Sequence, residues 1–216
     1  MQKTGGVFSI LAGLSYLAIG ILVCVQPVLF QDANVDLFLS TLAVKPTCFV
    51  LYYLAIALSA TFGIGAIAAV TNYFGVAENE VVKWAMKLAY VGFAILAMSY
   101  YRVFTVKPYM ANFYTNAPQN AKDIILIMDP YISFAPNGLV TYGLVGIWLV
   151  LISVLAFKKK SSSAIYTILG TVLGVLFIAV TIQNVGALTT AILNTAKGIV
   201  SFIWFAIVGV KMVKTA

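Results

Sequence analysis

Four polar side chains gather near the end of an otherwise apolar chain: Gln183, Asn184, Asn194 and Lys197. A charge inside a membrane span costs at least ~2.5 kcal/mol on insertion scales, so such residues usually face a cavity or a partner. Lys197 lies between Ala196 and Gly198, well before Lys211, and helical rise puts it about 9 Å below the boundary of its apolar run. Arg102, directly after Tyr100 and Tyr101, ends another run at comparable height, and Asp123 or Asp129 could reach either cation. A cation flanked by amides is chemistry for an anion, either a lipid headgroup or a small anionic ligand. The plain alternative is a long basic side chain that snorkels to the headgroups and binds nothing specific. The tyrosines beside Arg102 form an ordinary interfacial belt and favour that alternative there. Lys197 is deeper and has polar neighbours, so its two readings stand level.

Cys24 and Cys48 are the only cysteines. Both fall toward the same end of neighbouring apolar runs, so a disulfide is open to them if their Cα atoms come within about 7 Å. Free thiols acting as small apolar groups are the simpler reading. Histidine is absent. That removes histidine-ligated haem or copper, the usual zinc sites and histidine general-base catalysis. Two cysteines hold no iron–sulfur cluster. No nucleophile–base pair appears at motif spacing, and no acid lies deep in an apolar run. The sequence therefore offers no catalytic residue, no metal site and no cofactor, and an enzyme is not expected.

The elements that carry these residues follow from composition. Of 216 residues, 62% are hydrophobic and 9% charged, against about 25% charged in a soluble domain. The surface must face lipid. A helix needs roughly 20 apolar residues to cross the hydrocarbon core, and six runs qualify, at about 6–30, 46–70, 82–105, 138–157, 164–182 and 188–213. The last is the least regular, since it must take Asn194 and Lys197 into the membrane. The expectation is an all-α polytopic bundle of six transmembrane helices in one domain over residues 1–216. The stretch 106–137, punctuated by Pro108, Pro118, Pro130 and Pro136, is expected to form a cap on the outer side, with a short helix over Ala121–Met128. Residues 35–44 make a second, smaller one.

Orientation follows from lysine and arginine. With both termini inside, the inner segments hold Lys3, Lys83, Lys87, Lys158, Lys159, Lys160, Lys211 and Lys214, eight in all, against five basic residues outside. The positive-inside rule then gives N-in and C-in. The net charge of +7 is spread over these ends and forms no long basic stripe, so nucleic acid is a poor partner. Small-residue pairs, Ser9 and Gly13, Ser59 and Gly63, Gly170 and Gly174, are expected to pack helices within the chain.

The opening Gly5-Gly6-Val7-Phe8-Ser9-Ile10-Leu11-Ala12-Gly13-Leu14-Ser15-Tyr16-Leu17 and the closing Ile203-Trp204-Phe205-Ala206-Ile207-Val208-Gly209 resemble the two ends of an uncharacterised family of small six-span bacterial and archaeal membrane proteins. The resemblance implies a cytoplasmic or internal membrane and supplies no catalytic residues. Two functions remain as expectations. The leading one is a non-enzymatic accessory or structural subunit in a larger membrane complex or homo-oligomer, in contact with membrane lipids. The other is a binding or transport protein with an outward-facing pocket at Lys197, Asn194, Gln183 and Asn184.

Overall fold

In hydrocarbon every backbone N–H and C=O must be satisfied within the protein, and a helix does this locally. The computed structural model describes residues 2–25, 35–133, 138–182 and 187–215, and these are helical almost throughout. Helix α1 covers Gln2–Val25, α2 Val35–Val44, α3 Pro46–Tyr73, α4 Glu80–Asn116 and α5 Gln119–Ser133. A π-helical turn over Leu139–Gly143 leads directly into α6, Leu144–Lys159, followed by α7, Ala164–Ala179, and α8, Ala187–Lys214. Five of these helices, with the π turn counted into α6, are long and apolar enough to cross a membrane.

Local chemistry explains the boundaries. Pro46 opens α3, where its missing N–H costs nothing and its fixed φ suits the first turn. Asn79 caps α4, its side-chain oxygen accepting from the Val81 and Val82 N–H groups at 3.0 and 3.3 Å. Lys160 ends α6 with φ 53°, and the chain reverses there so that Ser161 Oγ donates to the Phe74 carbonyl at 2.7 Å.

Helix α1 packs along both α3 and α8, α4 lies between α3 and α6, and α7 lies between α6 and α8. The six helices thus close a ring in the order α1, α3, α4, α6, α7, α8. Trp148, Trp204, Phe93, Phe177 and Phe205 fill its interior and are fully buried. Outward positions such as Ile21, Met98, Ile168 and Val175 are exposed, as a lipid-facing surface requires. The three small-residue pairs all work inside the chain. Ser9 Oγ donates to the Phe205 carbonyl at 2.7 Å, Gly13 faces the α8 backbone and Gly63 faces Phe93 of α4. Gly174 and Gly146 meet so closely that a Cβ on either would lie within 2.8 Å of the other's carbonyl oxygen.

Three expectations change. The third run does not stop at residue 105: α4 continues for 37 residues to Asn116 with Pro108 inside it. A second core cluster holds that extension, joining Phe38, Leu39 and Leu42 of α2, Phe49 of α3, Val103, Ala111 and Tyr114 of α4, and Ile125 of α5. Tyr114 also donates to Asp36 at 2.8 Å, and Lys107 lies buried with its ammonium 5.1 Å from the Phe38 ring centre. Tertiary packing overrides the local cost of proline. The last run, the least regular in sequence, forms a 28-residue helix. The fifth is the short one, with 16 residues in α7, about 24 Å by helical rise against a core of about 30 Å.

Candidate polar site between the last helix and the ring interior

Asn194, Lys197 and Ser201 share one stripe of α8, because residues three and four apart lie on one helix face. That stripe points inward: Lys197 is 6% exposed and Ser201 fully buried. Lys197 Nζ donates to Asn194 Oδ1 at 3.0 Å and sits 3.7 Å from the centre of the Tyr142 ring, with Phe177 at 5.9 Å. An ammonium over an aromatic face is held by the ring's quadrupole, and the attraction strengthens where water is excluded. Snorkelling is thereby set aside for Lys197, whose side chain turns into the bundle.

Tyr142 belongs to the π-helical turn before α6. Such a turn admits one extra residue into the helix and recurs at functional sites. The Tyr142 hydroxyl faces that of Tyr100 on α4, and Tyr16 and Tyr52 lie close by. The rings of Tyr142 and Tyr16 each pack edge-on against Phe177. Deeper in the bundle the Tyr16 hydroxyl faces Ser59 and Ser201, and neither Tyr16 Oη nor Ser201 Oγ closes a hydrogen bond of good geometry among the described residues. Groups able to hydrogen-bond therefore extend from Asn194 and Lys197 through Tyr142 to the middle of α1, α3 and α8.

No carboxylate among the described residues lies within 4.0 Å of Lys197. Asp123 accepts instead from Gln119 on its own helix at 3.0 Å, and Tyr114 takes up Asp36. Among the described residues the buried cation has neutral partners: an amide oxygen and two rings. Such a site favours an incoming anion, since an ionised group withdrawn from water without a counter-charge is costly.

Of the residues singled out in the sequence, Asn194 and Lys197 come together. Gln183 and Asn184 lie outside the described residues, as does the side chain of Asp129. Arg102 is exposed on α4 and makes no polar contact with Lys197 or Asn194. Cys24 and Cys48 are free thiols, Cys24 on the exposed face of α1 and Cys48 half-buried on α3. The disulfide is not formed, and Cys24 spends its side chain on the surface instead of the core. Tyr142, Tyr16, Phe177 and Ser201 were not singled out, and Tyr100, read as part of an interfacial belt beside Arg102, is buried instead. The spacing of Ser201 from Lys197 was the one signal that could have added a member.

The fold and the site define a helical membrane protein with a cation enclosed in an aromatic interior. No family model, curated protein or solved structure matches the chain.

Proposed function

We propose that the chain crosses the membrane six times, with the lysine-rich end cytoplasmic, and binds or transports a small anionic molecule or lipid headgroup at Lys197. The observation that carries this reading is the buried Lys197 ammonium, paired among the described residues with Asn194 and the Tyr142 and Phe177 rings. The closed ring of six helices, with α7 as a member, supports the span count. The positive-inside rule supports the orientation; under it the α2 and α5 cluster becomes an outer cap, and Lys197 lies in the outer half of α8. No group in this reading acts as a nucleophile or general base, so the role is binding and not catalysis.

A second reading, an accessory subunit of a larger membrane complex, draws on the length of α4. Its 37 residues span about 55 Å, well beyond a bilayer core, and the extension exposes Tyr109 and Phe113 beside Ile124, Ile127 and Met128 of α5. Apolar surface of this kind suits a protein partner.

Native mass spectrometry of the protein, extracted from its own membrane in mild detergent, separates the two readings. The binding reading expects one reproducible anionic small molecule or lipid on the wild type and its loss in Lys197→Gln at unchanged expression. The same adduct on both proteins would rule out Lys197 as its site. A stoichiometric protein partner would move the assignment to the accessory subunit.

A further inference from the structure

The lysine-rich end carries a feature unrelated to Lys197. Between the start of α7 and the last turns of α8 a groove of about 410 Å³ is lined by Tyr166, Ala206, Ile207, Val210, Lys211 and Lys214. Its composition changes along α8. Ala206, Ile207 and Val210 make an apolar wall on the membrane side, and the two lysines, three residues apart on one helix face, form a rim at the end of the helix. Tyr166 stands opposite them on α7 and is fixed there, because its carbonyl accepts from Trp204 Nε1 at 2.9 Å.

Charge decides what such a groove accepts. The lysine-rich end holds eight lysines and two glutamates, Glu78 and Glu80. Both glutamates are taken by one lysine, Lys83, at 3.5 and 3.0 Å. Among the described residues no carboxylate comes within ion-pair distance of Lys211 or Lys214. The lysines are exposed, while the wall beneath them offers only hydrocarbon. The combination matches an amphiphile with an anionic head and an alkyl chain. It does not match a free anion, which would leave the apolar wall bare. Basic recesses between membrane helices hold acidic lipid headgroups in this manner.

We propose that the α7–α8 groove is a site for one anionic phospholipid, its phosphate between Lys211 and Lys214 and the upper part of one acyl chain along Ala206, Ile207 and Val210. The lipid would seat the end of α8 against α7, whose 16 residues make it the shortest member of the ring when the π turn is counted into α6.

The test uses the full chain in a neutral detergent, titrated with phosphatidylglycerol or with phosphatidylcholine of the same acyl chains and read by native mass spectrometry. Each lysine near an anionic headgroup contributes a few-fold in affinity, so the wild type should prefer phosphatidylglycerol by about tenfold or more. Lys211→Gln with Lys214→Gln should remove that preference. Lys158→Gln with Lys159→Gln, which takes the same charge from the same end outside the groove, should keep it. Val210→Trp, which fills the wall and leaves both lysines, should lower phosphatidylglycerol occupancy. The proposal is overturned if the Lys211 and Lys214 pair can be neutralised without loss of preference. It is equally overturned if the Lys158 and Lys159 pair matters as much, since the effect would then be general surface charge.

Discussion

Lys197 is costly to bury, and what offsets that cost is specific. Its amide partner, Asn194, belongs to its own helix, but the Tyr142 ring comes from across the bundle, 3.7 Å away. A desolvated cation–π contact is worth about 2 kcal/mol, so it should register in stability and not only in binding. Tyr142→Phe keeps the ring and loses the hydroxyl that faces Tyr100; Tyr142→Leu loses both. The difference between the two variants isolates the ring. We expect Tyr142→Leu to be less stable than Tyr142→Phe by about 1–2 kcal/mol, measured by unfolding in mixed micelles, and the difference to shrink in a Lys197→Met background. An identical difference in both backgrounds would mean that the ring packs there without holding the cation. Half of this site was legible in the sequence and half was not, for a physical reason. Lys197 and Asn194 stand out because polar groups in a lipid-facing run are conspicuous. Tyr142, Tyr16 and Phe177 do not, because a buried aromatic and a lipid-facing one share the same composition. In a helix that is apolar all round, hydrophobic periodicity does not mark the inward face.

At the scale of elements, the same blindness explains where boundaries fell well and where they failed. Helix starts that depend on local chemistry, Pro46 for α3 and the segment 35–44 for α2, coincide with the expected positions. The end of α4 does not, because it is decided by contacts with α2 and α5 that lie far away in sequence. Pro108 looked like a terminator. It has no N–H to offer the carbonyl four residues back, yet the helix runs through it for two more turns, as membrane helices allow where neighbours hold them. The extension is therefore kept by the second core cluster at a local cost. Pro108→Ala should relieve that cost and raise stability, by up to about 3 kcal/mol, while Leu39→Ala should lower it, as deletion of a fully buried side chain does. A fall in stability for Pro108→Ala would show that the ring itself is part of the packing, and that α4 is shaped by its proline instead of surviving it.

At the scale of the whole molecule, the question is whether α7 crosses the bilayer. By length alone it falls short, with 16 residues reaching about 24 Å of a core of about 30 Å. Its place in the ring argues otherwise. Gly146 and Gly174 bring α6 and α7 into backbone contact, and Trp204 of α8 bonds the Tyr166 carbonyl of α7. A helix tied to both neighbours along its length shares their depth, and the bilayer thins locally around a short span at a modest cost per ångström. If α7 crosses, the turn after α6 and the start of α8 lie on opposite sides of the membrane. Both are available to chemistry, since Lys160 and Leu188 are exposed. In a background with Cys24 and Cys48 replaced by alanine, Leu188→Cys should react with a membrane-impermeant maleimide applied to intact cells. Lys160→Cys should react only after the membrane is opened. Labelling of both from outside, or of neither, would leave α7 on one side of the membrane and reduce the bundle to five spans. Five spans with the last one reversed would move Lys211 and Lys214 outward and take the lipid groove with them. Reaction of Lys214→Cys from outside would therefore remove both the six-span topology and the cytoplasmic placement of that groove in one experiment.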